Sequence, residues 1–193
     1  MNKVLCICGM CGSGKSEVMN YIREKKDFGY VRFGQTVLDI VKTLTDKPTE
    51  EIERKVRLDL REKHGMAAMA VVNIPKIDEL LQNGDVVVDG LYSWEEYLEL
   101  KNKYPDILTV IAVYTPPKMR YDRLAGRAEK YKDDKDLYYR SYTAEQAWSR
   151  DKAETEEIHK AGPIAMADYT ILNTGTVEEL TDQIEEVYKE IFK

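Results

Sequence analysis

The chain has 193 residues, of which 33% are charged, and a formal net charge of −6. That length suffices for one α/β domain with a full core, and the acidic balance argues against nucleic acid as the main partner. No apolar run approaches the roughly 18 residues of a membrane span, the lone Lys before the first apolar run does not make a signal peptide, and a cytoplasmic protein is expected.

Lys3-Val4-Leu5-Cys6-Ile7-Cys8 is a short apolar run and predicts a buried parallel strand. Gly9-Met10-Cys11-Gly12-Ser13-Gly14-Lys15-Ser16 follows it and fits G-x-x-x-x-G-K-[ST], the phosphate-binding loop of nucleoside triphosphate enzymes. Ser16 to Lys26 then predicts a helix with Val18, Met19 and Ile22 on one face. Each residue type has a task. Gly9, Gly12 and Gly14, with Ser13 between them, let successive backbone N–H groups turn inward around an anion. The helix start adds partial positive charge. Lys15 offers a point charge to the β- and γ-phosphates of ATP, and Ser16 a hydroxyl to Mg²⁺. Cys6, Cys8 and Cys11 show no metal-ligand spacing and read as reduced thiols.

Further along, Tyr30–Phe33, Val86–Val88, Leu108–Tyr114 and Tyr169–Leu172 predict four more strands. Helical spacing appears in Val37, Ile40, Val41 and Leu44, and again in Ile74, Ile77, Leu80 and Leu81, stopping at Asn83-Gly84. Thr49-Glu50-Glu51-Ile52 resembles a capped helix start, and Val177, Leu180, Ile184, Val187 and Ile191 stripe the last helix. Alternating strand and helix predicts a three-layer α/β/α fold around a five-stranded parallel sheet. Two segments exceed such a core: a helical one at about 34–69 and a charged, Tyr-rich one at about 127–161. In a two-substrate kinase these are the places for an acceptor clamp and a lid, so residues 1–193 are expected to form one domain carrying both insertions.

Asp89-Gly90 ends the third strand, where a carboxylate can hold Mg²⁺ through water or orient an acceptor; the plainer reading is a strand-ending turn. Arg120, Arg123 and Arg127 lie at helical spacing, and arginine suits phosphate because its planar fork donates in pairs. Arg123 and Arg127 are expected at the transferring phosphate, and Arg120 on the surface. Arg150, after Trp148, can return to the phosphates when a lid closes. Asn173 and Gly175 follow the last strand, where a loop can touch adenine. His64 and His159 read as surface or structural residues.

Gly9 to Ser16, Asp89-Gly90, Arg123-Leu124-x-x-Arg127 and Asn173-x-Gly175 resemble the P-loop nucleoside monophosphate kinase and dephospho-CoA kinase superfamily. Leu60-Arg61-Glu62-Lys63-His64-Gly65-Met66, Ile74-Pro75-Lys76-Ile77, Arg150-Asp151-x-x-Glu154 and Ala167-Asp168-Tyr169-x-Ile171-x-Asn173 look more narrowly like a mainly archaeal family of dephospho-CoA-kinase-like predicted nucleotide kinases. The resemblance covers nearly the whole chain and implies an ATP- and Mg²⁺-dependent kinase. It also has departures. Dephospho-CoA kinases carry an Asp just after the second strand, and adenylate-kinase-like enzymes carry Gly-Asp-x-x-Arg there and Asp-Gly-x-x-Arg after the third. This chain reads Arg32-Phe33-Gly34-Gln35 and Asp89-Gly90-Leu91-Tyr92-Ser93. Arg32, Gln35, Arg57 and Arg61 are the candidates for the acceptor instead.

The first reading is therefore a kinase that moves the γ-phosphoryl group of ATP to a small molecule, a nucleoside monophosphate foremost. Lys15, Asp89, Arg123, Arg127 and Arg150 would carry the chemistry, with Ser16 and Asp89 at the metal. A hydroxyl-directed kinase such as dephospho-CoA kinase, with Asp89 as base, is the alternative among enzymes. A non-catalytic ATP-binding protein is the alternative outside them. A GTPase is disfavoured, because the chain has no Asn-Lys-x-Asp for guanine.

Overall fold

The computed structural model describes residues 1–25, 27–47, 49–130 and 141–193. In chain order the elements are β1 (Val4–Cys8), α1 (Lys15–Lys25), β2 (Gly29–Arg32), α2 (Phe33–Leu44), α3 (Glu50–His64), α4 (Ala68–Leu81) and β3 (Val86–Asp89). Then come α5 (Trp94–Lys103), β4 (Leu108–Tyr114), α6 (Pro117–Lys130), α7 (Ala144–Glu156), α8 (Ala161–Ala165), β5 (Tyr169–Leu172) and α9 (Val177–Ile191). Of the expected lid, residues 131–140 lie outside the described residues.

The five strands form one parallel sheet in the order β2-β3-β1-β4-β5. Side chains alternate across a strand, so an all-buried strand must feed two cores. Val4, Cys6 and Cys8 of β1 face a core built with Phe33, Val37, Ile77 and Leu100 from α2, α4 and α5. Leu5 and Ile7 face the other, built with Val18, Ile22, Leu180 and Ile184 from α1 and α9. This is the three-layer α/β/α arrangement. Burial pushes the Cys8 thiol up to about 12 and raises Cys6 as well, so neither carries thiolate near neutral pH.

One strand end and one helix differ most from the sequence reading. Phe33 does not end β2 but opens α2, because its side chain is fully buried in the core where the chain turns from strand to helix. Helix α5 was not among the expected helices. Its signal is the capping box Ser93-Trp94-Glu95-Glu96: Glu96 N–H donates to Ser93 Oγ at 3.0 Å, and Ser93 N–H donates back to Glu96 Oε2 at 3.2 Å.

Register decides what meets at the carboxyl edge. Ile7 stands opposite Asp89, and Asp89 opposite Arg32. The Gly9–Ser16 loop therefore leaves the sheet directly beside Asp89.

Candidate functional site

The Gly9–Ser16 loop is shaped by backbone that only glycine adopts freely. Gly9 and Gly14 have φ of 141° and 96°. A Cβ on Gly14 would stand 1.9 Å from Asn173 Nδ2, and one on Gly9 would stand 2.4 Å from the Val113 carbonyl oxygen. Lys15 opens α1, and its ammonium donates to Met10 O across the loop at 3.0 Å. Burial lowers the Lys15 pKa, and the neighbouring charge of Lys160 adds to this, bringing it to about 8. A bound anion would reverse that cost.

The loop is braced from behind. Asn173, 9% exposed, donates from Nδ2 to Ser13 O at 2.9 Å. The Thr115 hydroxyl lies 3.0 Å from Ser13 O and 2.8 Å from Asn173 O. Arg123 donates from Nη1 to Thr115 Oγ1 at 3.1 Å and from Nη2 to Asn173 O at 3.0 Å. The structure thus sets Asn173 and Thr115 against the loop's backbone and Arg123 behind those two, while Arg127, one turn further along α6, is half-buried. Gly175 sits before α9, where Glu179 Oε2 folds back to take the Thr176 N–H at 2.8 Å and would collide with a Cβ on Gly175.

Arg120 is not a surface residue. It is 4% exposed and reaches Cys11 O at 3.0 Å, Thr115 O at 3.1 Å, and both Asp151 oxygens at 3.0 and 2.6 Å. Helical spacing groups residues on a face but does not say what that face meets, and this one meets α7.

The acceptor candidates lie on the β2 side. Asp89 is half-buried, with Tyr30 Oη 3.4 Å from its Oδ2. Gln35, in the first turn of α2, donates to Asp39 Oδ1 at 2.8 Å. Arg57 reaches Glu53 at 3.5 Å within α3. Arg61, one turn on, bears on Glu96, which is 1% exposed. Burial raises the Glu96 carboxyl to about 7, against the pull of the Tyr92 and Ser93 N–H groups and of Arg61.

Beside Asp89 and Tyr92, Arg150 and Glu154 of the Arg150-Asp151-x-x-Glu154 segment meet Lys160, which the sequence reading did not include. Glu154 on α7 bridges two cations: Arg150 Nε at 2.9 Å and Lys160 Nζ at 2.6 Å. Arg150 also donates to Tyr142 Oη. Burial works to raise the Glu154 carboxyl, but Lys160 and Arg150 outweigh it and hold it at about 2. Lys160 falls in no motif and on no periodic face, so only the chain reversal after α7 brings it here.

The donors suit a magnesium nucleotide. Among the described residues no group of three His, Cys, Asp or Glu side chains could hold a metal by itself. Mg²⁺ commonly takes one or two carboxylates plus substrate phosphates, and Asp89 and Ser16 supply hard oxygens of that kind. The glycine cradle and Lys15 supply the phosphate side.

The profile of a family described as an AAA domain matches residues 5–158. A UPF0200 protein of Sulfurisphaera tokodaii is 36% identical, covering 98% of this chain and 97% of the relative. The chain belongs to the UPF0200 family. A second UPF0200 protein, from Thermococcus kodakarensis, is 33% identical, with 97% of each chain covered. Among solved structures, shikimate kinase from Bacteroides thetaiotaomicron superposes with a TM-score of 0.58 at 13% identity, covering 99% of each chain. That likeness is one of fold: a five-stranded parallel sheet between layers of helices.

Proposed function

We propose that this UPF0200 protein is an ATP- and Mg²⁺-dependent small-molecule kinase whose acceptor is a nucleoside monophosphate. The observation that carries the reading is the adjacency of the glycine cradle with Lys15 to Asp89, in register across β1 and β3. Phosphoryl transfer asks mainly for positioning and for charge around the moving group. Lys15 would hold the β- and γ-phosphates, Ser16 and Asp89 the metal, and Arg127 and Arg150 the transferring group. Arg123, Asn173 and Gly175 would serve the nucleotide by fixing the loop and its rim. Residues of about 34–69 would clamp the acceptor through Arg32, Gln35, Arg57 and Arg61, and residues of about 127–161 would form the lid of a single domain.

A hydroxyl acceptor, with Asp89 as base, is the second reading; the half-buried Asp89 carboxylate beside Tyr30 favours it. Among the described residues no helix is long and apolar enough to cross a membrane, which suits a cytoplasmic enzyme. A coupled ADP-release screen over nucleoside and deoxynucleoside monophosphates, dephospho-CoA and small hydroxylated metabolites separates these readings. If no acceptor yields ADP above the water background, the kinase reading fails and a non-catalytic nucleotide-binding protein takes its place.

A further inference from the structure

Lys160 is 1% exposed, and stability alone does not account for its charge. A buried ion pair is often no more stable than well-packed apolar side chains of similar volume. Yet the chain takes trouble to hold this ammonium in place. Its Nζ lies 2.6 Å from Glu154 Oε2 and 4.5 Å from the Tyr92 ring centroid, a distance at which a cation is attracted to the ring face. The Lys160 backbone N–H also donates to Glu154 O, at 3.0 Å. His159, just before it, takes φ of 53° and pairs with Glu95 at 3.0 Å. Gly162, just after it, packs so closely on Trp94 that a Cβ would lie 2.7 Å from the ring.

The next contact locates the segment. Cys8 Sγ stands 3.6 Å from Pro163 O, and Cys8 is the last residue of β1 before the Gly9 loop. Residues 160–163 therefore cross the carboxyl end of β1, between the loop and α5. Lys160 stands there beside Lys15, with Arg150 on the other oxygen of Glu154. Lys15, Lys160 and Arg150 outnumber the two carboxylates among them, Asp89 and Glu154, and Arg32 adds charge from the β2 side. Like charges brought together in a partly desolvated site need an anion to balance them.

We propose that Lys160 is a phosphate-contacting residue of this site, donating to the non-bridging oxygens of the γ-phosphoryl group while Glu154 keeps its ammonium aimed. The inference rests on the reading that the Gly9–Ser16 loop holds ATP. In the transfer, the bond from the γ-phosphorus to the ADP oxygen breaks, and a bond to the acceptor oxygen forms. Lys160 makes no covalent bond, so its part is charge alone.

The test compares a non-hydrolysable ATP analogue with an imido β–γ bridge against ADP, each with Mg²⁺, by calorimetry on the full chain. Lys160→Met should leave ADP affinity within about threefold and weaken the analogue by about tenfold or more, the scale of a lost charged hydrogen bond. Lys160→Arg should recover part of that loss. A purely structural lysine would lower the melting temperature or weaken both ligands alike, and either result in a folded variant without a selective loss overturns the proposal. If Lys160→Met does not fold, Lys160→Arg is compared with Lys160→Gln, and equal analogue affinities overturn it. A wild-type chain that binds neither ligand refutes the nucleotide reading itself, a result distinct from failure of the Lys160 proposal.

Discussion

Arg120→Met should rank among the costliest single changes in this chain. The guanidinium is 4% exposed, and Asp151, which takes two of its donors, is 8% exposed. Methionine fills much of the space but leaves a buried carboxylate with only Tyr121 Oη, at 2.9 Å, as its other side-chain partner among the described residues. Breaking a buried pair from one side costs about 3–5 kcal/mol. For a chain of this size each kcal/mol moves the melting temperature by roughly 2–4 °C, so a fall of about 6–20 °C is expected. Replacing both partners, with Arg120→Met and Asp151→Leu together, removes the stranded charge and should recover most of that loss. Function should part from stability here. Arg120 also holds the Cys11 carbonyl at 3.0 Å, a bond that both variants lose, so Mg·ADP affinity should fall in the single and the double variant alike. Urea and thermal unfolding with calorimetric binding give both quantities. A single-variant cost below about 1 kcal/mol, or a double variant that loses the sum of two large single costs, would refute the reasoning.

Two pH effects follow from the same site. The folded-state pKa of Lys15 is lowered from 10.5 to about 8, so between those values the native chain has shed a proton that the unfolded chain keeps, and this group's contribution to stability rises with pH across that window. Phosphate at the loop favours the ammonium, so Mg·ADP binding should take up a proton near pH 8.5 and almost none near pH 6.5. Calorimetry in buffers of different ionisation enthalpy reads the uptake, and its survival in Lys15→Ala would remove Lys15 as the source. Glu154 has the opposite sign. Its pKa is lowered from 4.5 to about 2, so its stabilisation is full above the unfolded value and is lost as pH falls towards 2. The shift corresponds to on the order of 3 kcal/mol, and Glu154→Gln should flatten the acid limb of an unfolding profile between pH 5 and 2. An unchanged acid limb would show that Arg150 and Lys160 do not stabilise the carboxylate.

The sheet and the loop were legible because their signals are local. Five apolar runs mark five strands, and the Gly9–Ser16 spacing is set by what one anion requires of consecutive residues. Cross-chain partners leave no such trace. Arg120 and Arg123 share a helix and a charge, yet one meets Asp151 on α7 and the other meets Asn173 after β5. Nothing in the spacing of α6 separates them. Asn173 stands 160 residues from the Ser13 carbonyl it serves, so its role depends on β5 lying next to β4. Lys160 is the extreme case: its neighbours Glu154 and Lys15 come from α7 and α1, and Tyr92 from the loop between β3 and α5. Helix α5 is different in kind, because its capping box is a local signal that can be read directly.

The distribution of charge bears on how such a site would capture its ligand. The chain as a whole carries −6, which repels a phosphate at long range. At physiological ionic strength, however, fields between exposed charges fade over about 8 Å, so the surface acids contribute little at the loop. What remains is local: the glycine cradle, the start of α1, and cations held at fixed positions. The bracing by Asn173, Thr115 and Arg120 then acquires a purpose. The bonds to the Ser13 and Cys11 carbonyls would hold the loop in its form before any anion arrived. Ordering costs met during folding need not be met again on binding. The same logic would apply to Glu154, which holds Arg150 and Lys160 in place where the proposed phosphate would share them.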